Sequence, residues 1–445
     1  MDTPDKGCVQ MKKIKQNVTR FLRKYRMDYL DVDIEQVIDS FLSEMRRGLA
    51  GKKSTLDMIP TYIEVGADVP TNKRVIVVDA GGTNFRVATV YFDNQKKAVI
   101  ENLHLYKMPG VQHEIGKDEF FKIMAGYLKD VAGAAQNIGF CFSYAVEMFP
   151  NKDGRLIRFS KEVKAKEVEG QLVGENLNLA LASMGLGGDK KIILLNDTVV
   201  TLLAGVGYQN RSFGSYIGFI LGTGTNTCYV EKNSQLKKTK NLDLLKNQII
   251  NTESGNFGKI KQGKIDASFD KSTVNPGVHK FEKMISGAYL GPLCLATIHK
   301  ACDDGLLSTS VANALWQISE LDTKDMNAFL LYPYGNNPLA DAAKQGNADD
   351  SLTLYYIADR LTERAAKLTA INLSAMAIKS GSGTDPSQPI CIVAEGTTFY
   401  QMKGLKNRVE FYLKQYLENK LGIHYEIISV DNATLIGSAI AGLTN

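Results

Sequence analysis

Cysteine is scarce in this sequence, and its few cysteines are not paired. The chain has 445 residues and six cysteines, at positions 8, 141, 228, 294, 302 and 391, with no Cys-x-x-Cys motif. This scatter argues against a disulfide framework and against a zinc site. We therefore expect reduced thiols in a cytosolic, that is cytoplasmic, protein.

Long hydrophobic runs are also missing. No apolar run approaches the roughly 20 residues that a membrane-spanning helix needs. Residues 1–13 are polar, without the apolar core of a signal peptide or an apolar anchor. We expect no membrane anchor.

A strong charge imbalance is lacking as well. The 53 basic and 48 acidic residues give a net charge of +5, and they are interspersed rather than clustered. This pattern predicts neither a nucleic-acid stripe nor a membrane-binding patch. The apolar fraction of 44% and the charged fraction of 23% are typical of a soluble globular protein. A chain of this length is expected to form two or more lobes, each with its own core.

Residues 74–92 contain the first informative motif. Two runs rich in Val and Ile flank the turn Gly81-Gly-Thr-Asn84, which predicts a β-hairpin. The two glycines can adopt positive φ and leave backbone N–H groups open to an anion. Asp79 ends the first strand, where its carboxylate suits a magnesium ion carried with a phosphate. The alternative is an ordinary Gly-Gly hairpin turn.

A second hairpin is predicted over residues 215–231. Its turn, Thr223-Gly-Thr-Asn226, shares three of four residues with Gly81-Gly-Thr-Asn84. We interpret this as an internal duplication of a β-hairpin lobe. Two such loops facing one another could hold a polyphosphate between two lobes, which favours nucleotide binding over two chance turns.

The remaining pattern alternates strands and helices. Helices are predicted over 14–25, 34–49, 118–134, 281–293, 351–376, 405–417 and 435–443, strands over 139–146, 190–195, 390–395 and 425–430, and loops over 259–271 and 332–350. Asn196-Asp-Thr198 lies where a strand meets a helix, the usual place for ligands in open α/β sheets. Helix capping by these residues is the alternative, and both roles are compatible.

With these motifs in view, the chain resembles the eukaryotic-type hexokinases of the sugar kinase–heat-shock–actin superfamily. The similarity runs in order through Leu56-Asp-Met-Ile-Pro-Thr-Tyr62, Asp79-Ala-Gly-Gly-Thr-Asn-Phe-Arg-Val87, Asn196-Asp-Thr198, Leu221-Gly-Thr-Gly-Thr-Asn226, Asn251-Thr-Glu253 and Phe281-Glu-Lys-Met-Ile-Ser-Gly287. The resemblance implies an α/β, two-lobed actin-like ATPase (ribonuclease H-like) fold around a cleft. The small domain would comprise 70–195, with the C-terminal helix 431–445 packing on it, and the large domain 1–69 and 196–430.

The resemblance also implies site roles. Asp197 corresponds to the catalytic base, and Lys161 would assist the reacting region. The sugar-binding positions would be Ser143, Ser160, Lys161, Asn196, Asp197, Asn226, Glu253 and Glu282. The nucleotide-binding positions would be Asp79, Gly81, Gly82, Thr83, Asn84, Arg86, Thr223, Gly224, Thr225, Gly396 and Thr397, with Asp79 meeting Mg²⁺, most simply through water.

Several positions depart from the family pattern. Ser160 replaces a threonine and keeps its hydroxyl, Glu162 replaces a glycine, and Ala145 replaces a proline. His279 and Ser254 replace a glutamine and a tryptophan. Asp431-Asn-Ala-Thr434 replaces a terminal Asp-Gly-Ser-Gly, so no function is carried over to that segment.

The implied activity is ATP-dependent phosphorylation of glucose and related hexoses such as mannose, on the 6-hydroxyl. The expected partners are a hexose and ATP with Mg²⁺, and the expected state is a monomer or homodimer. Two alternatives belong to other classes. A sugar-sensing regulator would keep the fold without turnover, although Asp197 and the loop glycines are present. An actin-like or chaperone ATPase would lack the sugar-binding set.

Overall fold

The computed structural model describes residues 6–159, 163–207 and 213–445. Ser160, Lys161 and Glu162, which the sequence assigns to or beside the sugar site, lie outside the described residues. In these ranges the strands form two main sheets and a two-stranded ribbon.

One main sheet has five strands in the order β4-β3-β2-β5-β8. Its strands are β2 (Val75–Gly81), β3 (Asn84–Phe92), β4 (Ala98–Lys107), β5 (Asn137–Phe142) and β8 (Lys191–Leu195). Strands β2, β3 and β4 form an antiparallel meander, whereas β5 is parallel to β2 and β8 is parallel to β5. Both faces of β2 are covered, because Ile76 and Val78 enter one core and Val75 and Val77 another. A strand that is buried on both faces has a continuous apolar run rather than alternating apolar and polar residues, and β2 begins with such a run.

The other main sheet has six strands in the order β1-β11-β10-β9-β12-β13. They are β1 (Ile59–Pro60), β9 (Ser215–Leu221), β10 (Thr225–Lys232), β11 (Asn247–Asn251), β12 (Ile390–Glu395) and β13 (Tyr425–Ile428). Strands β9, β10 and β11 again form an antiparallel meander, and two parallel strands follow. The matching order in the two sheets agrees with the duplication predicted from the two Gly-Thr-Asn loops. The ribbon pairs β6 (Ala145–Met148) with β7 (Gly154–Arg158).

The helices surround these sheets. They are α1 (Lys6–Lys24), α2 (Ile34–Leu49), α3 (Lys117–Tyr127), α4 (Val173–Ser183), α5 (Asp197–Val206), α6 (Lys264–Ser272), α7 (Glu282–Ile285), α8 (Leu290–Asp303), α9 (Thr309–Leu315), α10 (Thr323–Leu331), α11 (Pro338–Ala343), α12 (Ala348–Ser380), α13 (Thr397–Gln401), α14 (Leu405–Leu413), α15 (Asn419–Leu421) and α16 (Ala433–Thr444). Helix α12 begins at an Asn347 capping box and ends at Gly381, which is left-handed. No helix in the described ranges combines the length and hydropathy that crossing a membrane requires.

Four predictions of secondary structure were wrong. The predicted loop 259–271 contains α6, whose start is fixed when the Gly263 N–H donates to the Asp266 carboxylate. The predicted turn-rich segment 332–350 contains α11, which begins at an Asn337 cap followed by proline. The predicted helix 281–293 is interrupted between α7 and α8. The residues between these two helices form hydrogen bonds to the turn of the second hairpin, as described below. The predicted helix 118–134 stops early, at Tyr127.

Small residues let α16 pack closely on its neighbours, as its composition predicted. A Cβ added to Gly139 of β5 would lie 1.8 Å from the Ser438 carbonyl oxygen, and one added to Gly437 would lie 1.9 Å from that of Val200. The C-terminal helix thus lies against β5 and α5. The division into a small domain (70–195 with 431–445) and a large domain (1–69 and 196–430) stays a prediction.

Candidate active site

The turn of the first hairpin, residues 81–84, is called the first Gly-Thr bend here, and it lies on the rim of a large cavity. Gly81 pairs with Asn84, so Gly82 and Thr83 form a two-residue turn, and Gly82 has φ 59°. The cavity measures about 880 Å³ and is lined by residues 81–84, Asp79, Arg86, Ser143 and Asp197. A Cβ on Gly81 would lie 3.1 Å from the Ser143 Oγ, so bend and serine are in close contact.

Asp79 is buried at the base of this bend and carries an ion pair. Its carboxylate accepts a hydrogen bond of 2.9 Å from the Arg86 Nε and a second one from Arg86 Nη2. Arg86 Nη2 also donates to the Thr434 Oγ, at 2.8 Å. The arginine predicted to contact nucleotide is therefore held between Asp79 and the last helix of the chain.

Asp197 opens α5 at the carboxyl end of β8, as the sequence predicted. Asn196 is the N-cap, because its Oδ1 accepts from the Thr198 N–H at 2.9 Å. Asp197 Oδ1 accepts from the same N–H at 2.7 Å. Burial raises the pKa of the neighbouring Cys141 thiol well above its usual value, and the charges of Asp79 and Asp197 raise it further. Both carboxylates therefore lie near this one buried thiol.

The turn of the second hairpin, residues 222–225, is the second Gly-Thr bend, and the segment between α7 and α8 holds it in place. Leu221 pairs with Thr225 across the bend, and the Gly287 N–H donates to the Gly222 carbonyl oxygen at 2.8 Å. The Ala288 N–H donates to the Thr223 carbonyl oxygen at 3.0 Å. These bonds are the physical reason that the helix predicted over 281–293 is broken.

A smaller cavity lies beside this second bend. It measures about 230 Å³ and is lined by Thr223, Thr397 and Thr398, among others. Gly396 approaches the bend so closely that a Cβ there would lie 2.3 Å from the Leu221 carbonyl oxygen. The Thr398 hydroxyl donates to the Gly222 carbonyl oxygen at 2.9 Å. The Gly396–Thr397 motif and the second bend are thus one structural unit.

The two bends share a wall. Ile220 and Glu395, which line the large cavity, are Cα partners on β9 and β12. Ile220 lies two residues before Gly222, and Glu395 directly precedes Gly396. The large cavity therefore ends where the second bend begins.

Three of the predicted sugar-binding residues, Asn226, Glu253 and Glu282, are held together by hydrogen bonds around the β10 start. Asn226 Nδ2 donates to the Glu253 Oε1 at 3.1 Å, and the Thr225 N–H donates to the Glu282 Oε2 at 2.9 Å. Burial raises the pKa of the Glu253 carboxyl to about 7, and the charges of Asp197, Asp57 and Glu282 add to this increase. Burial also raises the pKa of Glu282. Because the charge of Asp197 acts on Glu253, Glu253 lies close to Asp197, which lines the large cavity.

Some residues at this site were not predicted. Glu395 and residues 429–434 line the large cavity, and burial raises the pKa of Glu395, with the Asp431 charge adding to it. Glu395 could have been found, because it ends a buried strand directly before Gly396. Asn432 takes a left-handed conformation, φ 54°, which asparagine tolerates better than most residues in place of glycine.

The cavity offers the oxygen ligands that magnesium prefers. Across the described ranges, no three His, Cys, Asp or Glu side chains lie close enough together to bind a metal by themselves. Magnesium in phosphoryl-transfer sites is usually held by one or two carboxylates, substrate phosphates and water. Asp79, at the base of the first bend, fits that arrangement.

Two protein-family models, both described as hexokinase, match residues 17–206 and 216–444. The chain belongs to the hexokinase family. Hexokinase-5 of Oryza sativa subsp. japonica is 30% identical, with 91% of this chain and 85% of that protein covered. Hexokinase-1 of Schizosaccharomyces pombe is 27% identical, with 94% and 91% covered. As a hexokinase, the chain is a phosphotransferase that uses ATP to phosphorylate a hexose.

Solved structures confirm the fold. A hexokinase from Schistosoma mansoni complexed with glucose superposes with a TM-score of 0.76 at 22% identity, covering 98% of this chain and all of that one (100%). A second structure described as hexokinase gives a TM-score of 0.74 at 20% identity, covering 96% and 99%. At this level of identity the likeness concerns the fold, and it confirms the two-lobed actin-like architecture predicted from the sequence.

Proposed function

We propose that this hexokinase transfers the γ-phosphoryl group of Mg-ATP to the 6-hydroxyl of glucose, and also of mannose, supplying hexose 6-phosphate to glycolysis. The observation that carries the proposal is the position of Asp197. This residue lines the cavity of the first Gly-Thr bend, and its charge also raises the pKa of Glu253. It therefore lies close both to the bend proposed to bind phosphate and to Glu253, one of the residues proposed to bind sugar.

Asp197 is the proposed general base. A sugar hydroxyl is a poor nucleophile at neutral pH, and a carboxylate within hydrogen-bond reach typically contributes about 10²–10⁴-fold. Asn196 caps the helix and so fixes the backbone that carries Asp197. Most of the remaining acceleration would come from alignment of the hydroxyl with the phosphoryl group.

The hexose would be held by carboxylates and amides, whose paired acceptors and donors match adjacent hydroxyls. In the described residues these are Ser143, Asn196, Asn226, Glu253 and Glu282. Ser160 and Lys161, assigned by resemblance only, would complete the set from outside the described residues. The glucose bound to the Schistosoma mansoni hexokinase supports glucose as the first substrate to test.

The triphosphate would lie along the wall that the two bends share. Residues 81–84 and Arg86 would bind it from one side, and Thr223, Gly224 and Thr225 from the other, with Gly396 and Thr397 towards the adenosine. The Thr225 N–H already donates to Glu282, so the contribution of Thr225 would come from elsewhere in the residue or after rearrangement. Mg²⁺ near Asp79 would neutralise phosphate charge.

The monomeric or homodimeric state and the cytoplasmic location stay predictions. The cytoplasmic location is supported by free thiols such as Cys294.

The test is the formation of glucose 6-phosphate from glucose and ATP, measured with a coupled dehydrogenase. A panel of other hexoses is assayed at fixed ATP by the release of ADP. Glucose and mannose should be phosphorylated, and EDTA in excess of Mg²⁺ should abolish the reaction. Glucose binding by calorimetry without any product would instead indicate a sugar-sensing regulator. ATP hydrolysis that no hexose stimulates would indicate an ATPase of another kind.

A further inference from the structure

Asn226, Asn251 and Glu253 form a closed triangle of side-chain hydrogen bonds. Asn226 Nδ2 donates to the Asn251 Oδ1 at 2.8 Å and to the Glu253 Oε1 at 3.1 Å. Asn251 Nδ2 completes the triangle by donating to the same Glu253 Oε1 at 2.8 Å. Each of the three residues is thus bonded to both of the others.

Asn251 is the most deeply placed member of this triangle. It is only 4% exposed and ends β11, where it is the Cα partner of Cys228 on β10 and of Ile59 on β1. A residue fixed between two strands is a rigid support for mobile side chains. Asn226 and Glu253 are more exposed, as groups that contact a ligand must be.

The triangle leaves one carboxylate oxygen for a ligand. Both bonds to Glu253 end on Oε1, and in the described part of the chain Oε2 accepts no hydrogen bond. Glu253 has φ 53°, a left-handed conformation that a glutamate rarely adopts. Such a backbone conformation persists only where the surroundings enforce it. The two hydrogen bonds from the asparagines to Oε1 in turn restrict the orientation of the side chain.

We propose that Asn251 is a positioning residue of the hexose site, which orients Glu253 and Asn226 without contacting the sugar itself. The proposal rests on the proposed function, in which Glu253 and Asn226 bind the hexose. Neither the sequence motifs nor the resemblance assigned a role to Asn251.

The titration of Glu253 gives the proposal a measurable signature. The carboxyl faces the charges of Asp197, Asp57 and Glu282, which with burial raise its pKa to about 7, while the Asn251 amide lowers that pKa. Hexose hydroxyls donate to the ionised form, so glucose affinity should increase as pH rises through the pKa of Glu253. Loss of the amide donor should move this increase to higher pH.

The test compares Asn251→Asp with a matched control, Gln248→Glu. Gln248 lies on the same strand and is 1% exposed. It accepts from the Tyr62 N–H at 2.9 Å and donates to the Asn233 Oδ1 at 2.8 Å. Both variants therefore replace a buried, doubly bonded amide by a carboxyl on β11. Only the first touches Glu253.

Asn251→Asp should raise the KM for glucose by roughly tenfold or more, since a hydrogen bond to a charged group is lost and a like charge is gained. The KM for ATP should stay within about twofold, and the rise in glucose affinity with pH should move upward. Gln248→Glu should lower the melting temperature but leave both KM values and the pH profile unchanged. Should Asn251→Asp fail to fold, Asn251→Ala, which buries no charge, should show the same selective loss.

A glucose KM and pH profile that match the wild type in a folded Asn251 variant would overturn the proposal. So would equal increases in both KM values accompanied by a lower melting temperature, because that pattern marks a purely structural role. Failure of the proposed function looks different, since the wild-type protein would then neither bind nor phosphorylate glucose.

Discussion

Replacement of Gly396 by alanine tests the unit formed by Gly396 and the second bend. The added Cβ would lie 2.3 Å from the Leu221 carbonyl oxygen and 2.8 Å from the Gly222 nitrogen. Both are backbone atoms, so a side-chain rotation cannot relieve the clash. Gly396 also has φ 112°, which alanine disfavours. An alanine held in a sparsely populated backbone conformation costs roughly 1–3 kcal/mol, and forcing atoms into a packed site typically adds about 1–3 kcal/mol.

Gly305→Ala is the matched control, because Gly305 has φ 71° and open space around its Cβ position. That variant should pay only the backbone cost of about 1–2 kcal/mol. The Gly396 variant should lose roughly 2–6 kcal/mol in total. It should also raise the KM for ATP, with glucose affinity little changed, because the bend must move. Thermal unfolding and steady-state kinetics measure both effects. Equal melting temperatures and an unchanged KM for ATP would refute this account of the second bend.

Two further substitutions test other contacts. Thr434→Val removes the hydroxyl that accepts a hydrogen bond of 2.8 Å from Arg86, so the KM for ATP should rise about 3–10-fold. Thr434→Ser keeps the hydroxyl and should have a KM for ATP near that of the wild type. Equal effects of the valine and serine variants would show that the hydroxyl is irrelevant. Arg364→Met removes the two hydrogen bonds of 2.9 and 2.8 Å that the guanidinium donates to the buried carboxylate of Asp266, which should cost about 3–5 kcal/mol in thermal unfolding. A loss below about 1 kcal/mol would contradict that ion pair.

Local rules were sufficient for the two hairpins and for the start of α5. The hairpins follow from apolar strands on either side of a glycine-containing turn, and the pairing of Gly81 with Asn84 confirms the first of them. The cap at Asn196 follows from the preference of asparagine for that position. These features depend on residues that are close together in the chain.

Features that depend on distant residues could not be predicted from the sequence. Helix α6 is stabilised where Asp266 pairs with Arg364, almost a hundred residues later. The break between α7 and α8 exists because Gly287 and Ala288 bond to the second bend. The support that Asn251 gives to Glu253 depends on the register of β10 and β11. Register is a property of the assembled sheet rather than of either strand.

The central claim is that Asp197 deprotonates the hexose hydroxyl, and Asp197→Asn tests it most directly. Asparagine keeps an oxygen that can accept from the Thr198 N–H, as Asp197 does at 2.7 Å, so the helix start should survive. Asp350→Asn, at the start of α12 and away from the cavity, is the control for the loss of a carboxylate at a helix N-terminus. Asp197→Asn should reduce kcat for glucose 6-phosphate formation by about 10²–10⁴-fold while calorimetry still detects glucose binding. A folded variant that retains kcat within a few-fold of the wild type would contradict the claim.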